Sequence, residues 1–299
     1  MEISEYQRLA AKTDRHPGND RNAMEIPLLG LAGEVGTVLG QYKKYLRDGD
    51  AHELFKEKIA EELGDILWYL SNTATKFDID LGEVARSNLA KVADRWSEPG
   101  TQRSPRFFDD EFPPKERLPR WFDALFSEHA DERGKRRVVV TWNDRQIGDF
   151  LTDNAHSPDG YRFHDAFHFA YACILGWSPV TRRNLKLKRK SRKEIDEVED
   201  GARAIIYEEA VSGLVFEDAR NHRYYETKRT LDYGLLDSVK RLTEHLEVRV
   251  RSRNEWEQAI VRGFDVWRDL VKNGGGIVRY DLERREIAYL GTNEGTQSS

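Results

Sequence analysis

The sequence predicts a mainly α protein, in which an N-terminal all-α helical bundle is followed by an α+β domain with helices and two short β-hairpins. Apolar residues recur at helical spacing through the first 96 residues. Strand-like stretches follow later, in "RRVVVTW" and "GIVRYDLERREIAYLG". A segment rich in proline, charge and turn residues separates the two patterns, which predicts two domains.

The chain of 299 residues is long enough for two domains of ordinary size. We predict the N-terminal domain at 1–98, a linker at 99–119 and the C-terminal domain at 120–291. Residues 292–299, "TNEGTQSS", are polar and are predicted to form a disordered tail.

Four helices are predicted in the N-terminal domain, in "EYQRLAAKT", "IPLLGLAGEVGTVLGQYKKYL", "LFKEKIAEELGDILWYLSNTATKF" and "LGEVARSNLAKVADRW". "HPGND" and "RDGDA" separate the first three helices, and Asp80 is an N-cap candidate because Glu83 follows three residues later. Since the loops are short, neighbouring helices should run antiparallel, in a bundle whose inner faces can hold a site.

In the C-terminal domain, polar "HADERGK" precedes "RRVVVTW" and is suited to the turn of an antiparallel hairpin. A helical block follows, and "LERR" divides the second hairpin. One helical stripe predicts a helix packed on a sheet or bundle, and it comprises Trp256, Ile260, Phe264 and Trp267. "NGGG" follows that helix, so C-capping explains it better than a phosphate-binding loop.

The charge balance argues against a general nucleic-acid-binding surface. The net charge is −5 and the isoelectric point is about 6.0, whereas neutralising phosphates needs a clustered basic excess. The basic run "RRNLKLKRKSRK" at 182–193 is the local exception. It is interpreted as a solvated loop or helix end, with a phosphate or nucleic-acid contact as the alternative. We therefore do not expect a nucleic-acid partner.

The sequence also predicts a soluble, cytoplasmic protein with no membrane partner. "MEISEYQRLA" lacks the basic and apolar regions of an export signal, and no stretch approaches 18 consecutive apolar residues. The single Cys173 cannot form an intrachain disulfide and lies in apolar "FAYACILGW". It is predicted to be a buried thiol in a reducing compartment.

The segment "AEELGDILWYL" places acids beside apolar residues. Glu62 and Asp65 are three residues apart, so on a helix they share one face and both can reach one cation. Glu34, on the preceding helix, can add a third carboxylate. Such a set suits a hard divalent ion such as Mg²⁺, which prefers oxygen ligands.

The alternative is a set of exposed acids balanced by Lys56 and Lys58. Against it, the same helix carries an apolar face that predicts a core element, formed by Ile59, Leu63, Ile66, Leu67 and Leu70. Asp65 lies directly in this run, where a lone carboxylate would be costly.

Three motifs resemble, in order and interval, the helical signatures of MazG-like all-alpha nucleoside triphosphate pyrophosphohydrolases: "GLAGEVGTVLGQYKK", "EKIAEELGDILWYL" and "SNLAKVADRW". The resemblance covers about the first third of the chain. It implies a MazG-like bundle and an enzyme dependent on Mg²⁺, for which Mn²⁺ can substitute. Such an enzyme cleaves a (deoxy)nucleoside triphosphate to the monophosphate and pyrophosphate. The later part resembles the C-terminal extension of some bacterial MazG-like proteins, to which no firm activity is attached.

Carried over by position, Glu34, Glu62 and Asp65 are the implied metal ligands, and Glu61 or Glu34 is the candidate base for a metal-activated water. The first acid motif usually has two glutamates three residues apart, but here Glu34 is followed by Thr37. Either Glu61 compensates, or the site holds fewer ions, or the domain binds nucleotides without hydrolysing them.

The resemblance also implies substrate-binding residues and an oligomer. Asn88 and Lys91 match family positions that hold metal-bound phosphates, and Lys43 and Lys44 are expected, with Lys91, to offset phosphate charge. Small bundles of this kind often complete their nucleotide pocket with a second subunit, so we expect a homodimer or a dimer of dimers.

A second candidate site lies in the C-terminal domain. His164 and His168 are four residues apart with Asp165 beside the first, and Glu208 and Glu209 follow on a later apolar helix. Histidines at this spacing project from one face of a helix, where they can share a cation or flank a phosphate. The alternative is a pair of helix-packing histidines satisfied by nearby carboxylates.

The leading prediction is a nucleoside triphosphate pyrophosphohydrolase that controls or cleans the nucleotide pool. A role in stress or phage defence rests on family analogy. The alternative is a nucleotide-sensing regulatory protein with a degenerate catalytic site, in which the C-terminal domain is the effector. A weaker option makes the C-terminal domain a nucleic-acid-binding or nuclease module.

Overall fold

The chain forms two compact units, Met1–Ala93 and Asp94–Ser299. The computed structural model describes residues 1–52, 55–96, 107–130, 132 and 134–292. Most of the predicted tail and the first part of the predicted linker, residues 293–299 and 99–106, lie outside the described residues.

The N-terminal part of the chain is all-α, as predicted. Its described α-helices are α1 (Ile3–Ala10), α2 (Arg21–Asp48), α3 (Phe55–Lys76) and α4 (Leu81–Trp96). The predicted N-cap of α4 is confirmed, because the backbone N–H of Glu83 donates to Asp80 Oδ1 at 2.9 Å. Asp20 caps α2 in the same way, accepting from the Ala23 N–H at 3.0 Å.

The two long helices, α2 and α3, pack closely because a glycine faces an aromatic ring. A Cβ at Gly30 of α2 would lie 2.2 Å from the ring of Tyr69 on α3, so a larger residue could not keep this approach. One turn further along α2 is Glu34, and one turn back along α3 is Asp65. The two helices therefore run antiparallel here, and the contact brings these acids together.

The apolar face predicted for α3 is only partly a core face. Leu63 and Leu70 are 52% and 39% exposed, and Asp65 is exposed rather than enclosed by apolar side chains. Successive residues turn by about 100° on a helix, so Leu63 and Asp65 point about 200° apart. Because α2 covers the side that carries Asp65 and Tyr69, the leucines lie on the opposite side. Asp65 therefore does not carry the burial cost that its place in the apolar run predicts.

The second unit is α+β, as predicted. Its described α-helices are α5 (Asp165–Ala170), α6 (Pro179–Asn184), α7 (Lys193–Val198), α8 (Ala202–Arg220), α9 (Tyr233–Leu242) and α10 (Arg253–Asn273). Its described strands are β1 (Trp121–Ala130), β2 (Arg136–Trp142), β3 (Arg145–Leu151), β4 (Gly275–Asp281) and β5 (Glu286–Gly291).

The five strands form one antiparallel sheet in the order β3-β2-β1-β4-β5. Both predicted hairpins are confirmed as β1–β2 and β4–β5, and the pairing of β1 with β4 joins them. The prediction missed β3, because "RQIGDFL" lacks a regular apolar alternation and includes Gly148 at φ +67°.

The core of this unit lies between the inner face of the sheet and helices α5 and α10. Phe122 of β1 contacts Phe169 of α5 edge to face, with ring centroids 5.6 Å apart. The predicted stripe of α10 is confirmed as buried, from Trp256 to Trp267. Gly274 ends α10 in the left-handed conformation at φ +67°, which confirms the C-cap.

Cys173 is fully buried, as predicted, with its Sγ 2.8 Å from the carbonyl oxygen of Glu286. Burial raises the pKa of the thiol to about 12. The side chain therefore stays neutral and fills space as a small hydrophobe.

The described part of the predicted linker packs into the second unit instead of spanning open solvent. Its buried residues are Asp109, Phe112, Glu116 and Leu118. Phe112 and Leu118 supply apolar surface, and Asp109 pairs with Arg182 at 2.8 Å. The second unit therefore includes residues 107–119, the described part of the predicted linker.

The basic run at 182–193 is not wholly solvated, which corrects its interpretation as a solvated loop or helix end. Arg182 and Arg189 are buried, and Arg189 pairs with Asp200 and Glu247, both at 2.7 Å. These arginines are neutralised inside the unit, so the run offers fewer charges to a phosphate than its sequence indicates.

By length and mean hydropathy, α2 passes a test for a membrane-spanning helix. This is weak evidence, because core helices of soluble proteins pass the same test. The helix also carries Glu34, which faces α3 in the acid cluster.

Candidate functional site

Three acids meet between α2 and α3. One carboxylate oxygen from each of Glu34, Glu62 and Asp65 lies within 4.8 Å of the other two. Glu34 and Glu62 are half-buried and Asp65 is exposed, so the cluster is open on one side. The close approach at Gly30 and the three-residue spacing on α3 together produce this arrangement.

The acids repel one another at this separation. The pKa of Glu34 is raised, first by partial burial and then by a hydrogen bond with Glu62 and by the charges of Asp65 and Glu62. A bound cation would relieve this repulsion. Three carboxylates form an all-oxygen donor set, which fits a hard divalent cation.

Two residues weighed in the sequence lie outside this cluster. Glu61 is exposed and is not among the three clustered acids. Thr37 follows Glu34 on α2, but its hydroxyl donates to the Gly33 carbonyl at 3.3 Å. Its hydroxyl is therefore directed to its own helix backbone.

The candidate phosphate-binding residues lie on two helices. Lys43 and Lys44 are exposed on α2, nine and ten residues after Glu34, which corresponds to about 14 Å along the axis. They can reach only the far part of a ligand that extends from the acids. Asn88 and Lys91 are exposed on α4, and their three-residue spacing places them on one face.

A second cluster lies in the α+β unit. One ligating atom from each of His164, His168 and Glu209 lies within 4.8 Å of the others. The histidines flank the start of α5, and Glu209 lies on α8. His168 is 1% exposed, and its Nε2 lies 3.5 Å from Glu209 Oε2.

The sequence placed Glu208 in this set, but the structure gives it another position. Glu208 Oε1 accepts from His168 Nδ1 at 2.8 Å and from Ser178 Oγ at 2.6 Å, and Oε2 accepts from the Val180 N–H at 2.8 Å. Its oxygens already have partners, so it orients His168 instead of joining the cluster. In the sequence, Ser178 in "GWSPV" indicates a helix N-cap. Its contact with Glu208, 30 residues away, could not be inferred.

Burial and charge act in opposite directions on these groups. Burial lowers the pKa of His164. Burial also lowers the pKa of His168, but Glu208 and Glu209 outweigh it and raise that pKa to about 10. For Glu209, burial raises the pKa, yet hydrogen bonding and charge from His168 bring it down to about 2. The pKa of His168 is therefore raised because one carboxylate lies near each of its ring nitrogens.

The chain therefore combines an all-α unit, with a carboxylate cluster between antiparallel helices, and an α+β unit. Residues 26–98 match the MazG nucleotide pyrophosphohydrolase domain, and residues 103–293 match the MazG C-terminal domain. The chain belongs to the MazG family, which is generally metal-dependent.

A phage protein is also similar to this chain. The Gene 37 protein of Mycobacterium phage L5 is 34% identical over 101 residues, which cover 32% of this chain and 89% of that protein. No solved structure matches the chain.

Proposed function

We propose that this protein hydrolyses (deoxy)nucleoside triphosphates to the monophosphate and pyrophosphate in a Mg²⁺-dependent reaction, with Mn²⁺ as a substitute. The observation that carries the proposal is the cluster of Glu34, Glu62 and Asp65 inside the matched nucleotide pyrophosphohydrolase domain. A cytoplasmic role in control or cleaning of the nucleotide pool follows from this activity, and stress or phage defence is a further proposal by family analogy.

Glu34, Glu62 and Asp65 would hold the ion. When bound, Mg²⁺ neutralises phosphate charge and makes a water molecule more acidic. Glu34, whose pKa is raised, can take a proton from an attacking water, and exposed Glu61 is the alternative base. Lys91 can offset charge on the phosphates, with Asn88 and the lysines of α2 in supporting roles.

The experiment measures pyrophosphate release from a panel of ribo- and deoxyribonucleoside triphosphates, with Mg²⁺ or Mn²⁺, beside a measurement of nucleotide binding. Release with a matching amount of monophosphate supports the enzyme and identifies its preferred base. Binding without release from any member contradicts the hydrolase for those substrates and supports a nucleotide sensor.

The sensor remains the second candidate, because Thr37 stands where the family motif usually has an acid and its hydroxyl bonds to its own helix. If the protein binds without release, Thr37→Glu is expected to confer release at least about tenfold above Thr37→Gln, because it adds a carboxylate near the ion. Thr37→Gln has a similar size without the charge. Equal release by the two variants would show that the missing carboxylate is not the cause.

We also propose that the protein acts as a homodimer or a dimer of dimers. The helices of the first unit expose large apolar side chains, which include Leu29, Leu39, Leu46, Leu63 and Leu89. Covering such surface with a second copy would be favourable. Light scattering is expected to give at least twice the chain mass of 34.8 kDa, and a monomer at micromolar concentration would contradict this proposal.

A further inference from the structure

We propose that His164, His168 and Glu209 form a binding site for a divalent first-row transition-metal ion such as Zn²⁺. This site goes beyond the proposed hydrolysis at the acid cluster, and it does not depend on that activity. It makes the C-terminal unit a metal-binding unit in its own right.

The backbone presents two imidazoles to one point. His164 precedes α5 with helical dihedral angles, φ −64° and ψ −20°, and His168 lies four residues later, one turn along the same face. Their ring centroids are 5.6 Å apart. Glu209 approaches from α8, so the donors come from two separate helices.

Hydrogen bonds orient both imidazoles for metal binding. His164 Nδ1 donates to the Tyr161 carbonyl at 2.8 Å, and His168 Nδ1 donates to Glu208 Oε1 at 2.8 Å. With Nδ1 donating, a neutral imidazole presents the lone pair of Nε2, so Nε2 is the atom of each ring that can bind an ion. Metal-binding histidines usually have their other nitrogen held by a carbonyl or carboxylate in this way.

The surrounding contacts hold these orienting groups in place. Glu208 is completely buried and is fixed by Ser178 and Val180, so it cannot turn away from His168. The ring of Tyr161 stacks on His164 with centroids 4.4 Å apart and an angle of 7° between the planes. The two rings are therefore pre-organised before a ligand binds.

The second observation that points to a ligand is an unpaired atom. Among the described residues, His168 Nε2 has no hydrogen-bond partner although the side chain is 1% exposed. It lies 3.5 Å from Glu209 Oε2. Two donors that each lie about 2.1 Å from one tetrahedral Zn²⁺ would be separated by about 3.4 Å. The observed separation therefore fits a shared ion with little movement.

A neighbouring acid also faces the cluster. Asp165 Oδ1 is 3.8 Å from His164 Nε2, and Oδ2 is buried without a hydrogen-bond partner among the described residues. It can accept a hydrogen bond from a water bound to the ion. Three protein ligands leave a fourth position open, as in catalytic zinc sites, and partly exposed Glu209 lies on the solvent side.

The donor chemistry selects the class of ion. Imidazole nitrogen suits zinc and its first-row neighbours, whereas Mg²⁺ prefers oxygen ligands. The acid cluster of the first unit, with oxygen ligands alone, has the opposite preference.

The competing account is a protonated His168 paired with Glu208 and Glu209 without any metal. That account does not require His164, because the ion pairs with Glu208 and Glu209 are made by His168. A metal site needs His164 as a ligand. Substitution of His164 therefore separates the two accounts, and it avoids any change to the fully buried His168.

The test uses the full chain carrying Glu62→Gln and Asp65→Asn, treated with a chelator, so that the acid cluster does not contribute. Calorimetry measures Zn²⁺ binding, and Co²⁺ serves as a spectroscopic probe of nitrogen ligation. We expect one Zn²⁺ per chain, and at least about 100-fold weaker binding in His164→Gln and in Glu209→Gln, since even residues that orient ligands contribute 10- to 100-fold.

The matched control is His245→Gln, which removes an exposed histidine beside Glu244 and should leave binding unchanged. Thermal unfolding without metal checks that the variants fold. The proposal is overturned if the chain with Glu62→Gln and Asp65→Asn binds no Zn²⁺ at micromolar concentrations or binds Mg²⁺ more tightly than Zn²⁺. It is also overturned if His164→Gln in that chain binds Zn²⁺ as tightly as His245→Gln does.

Discussion

Glu62→Gln and Asp65→Asn are each expected to lower pyrophosphate release by about 1,000-fold at a fixed Mg²⁺ concentration. Each change removes one negative charge from the three-acid cluster while keeping the shape of the side chain. Stabilisation of transition-state charge by a bound ion contributes several kcal/mol, and loss of one ligand weakens both binding and positioning of the ion. The same variants should bind Mn²⁺ more weakly in a direct titration.

Glu57→Gln is the matched control, because Glu57 is an exposed acid near the start of the same helix and lies outside the cluster. It should keep the parent rate, since isolated surface charges contribute little. Glu62 is half-buried and Asp65 is exposed, so the substitutions should leave the fold intact. If Glu62→Gln kept the rate of Glu57→Gln at every metal concentration, the acid cluster would not be the catalytic metal site.

Arg189→Met is expected to lower the free energy of unfolding of the second unit by about 3 to 5 kcal/mol. Arg189 is buried and bonds to Asp200 at 2.7 and 3.1 Å and to Glu247 at 2.7 and 2.9 Å. It also donates to the Phe108 carbonyl at 3.0 Å. Methionine fills similar space but leaves the fully buried Asp200 without its main counter-charge. The loss in stability arises because a buried charge without a partner is strongly unfavourable.

Arg192→Met in the same basic run is the control. Arg192 pairs with Glu111 at 2.8 Å, but the two side chains are 53% and 77% exposed, so the expected loss is about 1 kcal/mol or less. Urea unfolding followed by tryptophan fluorescence measures both variants. Equal unfolding midpoints for Arg189→Met and Arg192→Met would refute a stabilising role for the buried network.

The acid cluster could be located from the sequence because it depends mostly on residues that lie close together along the chain. The three-residue spacing of Glu62 and Asp65 specifies a shared helix face, and the ordered motifs supplied the partner Glu34. The exposure of Leu63 and Leu70 could not be inferred, since helical periodicity marks an apolar face but does not state what covers it.

For the C-terminal cluster, residue spacing predicted only part of the site. His164 and His168 at i and i+4 were sufficient to indicate a shared site, but two adjacent glutamates on α8 could not be told apart. Glu208 and Glu209 point in directions about 100° apart, and only the tertiary contacts with Ser178 and Val180 show which one is held away from the cluster.

The interpretation of the basic run as a solvated segment was wrong for a related reason. A run of lysine and arginine usually marks a solvated segment. Its burial depends on Asp200 and on Glu247, which is 58 residues from Arg189 in sequence. Local composition does not encode such pairings, and the same applies to β3 and to the order of the strands.

The central pairing of the sheet has a consequence for biosynthesis. Strand β1 pairs with β4 from Ser127–Gly275 to Trp121–Asp281, so 148 to 160 residues separate the partners. At ribosomal rates of 5 to 20 residues per second, the partner strand follows about 7 to 30 s later. The helices of the first unit can fold during that delay from contacts that span at most about 80 residues, whereas one edge of β1 stays unpaired until β4 emerges. Nascent chains that stop before Gly275 therefore expose an open strand edge, which is prone to aggregate or to recruit a chaperone.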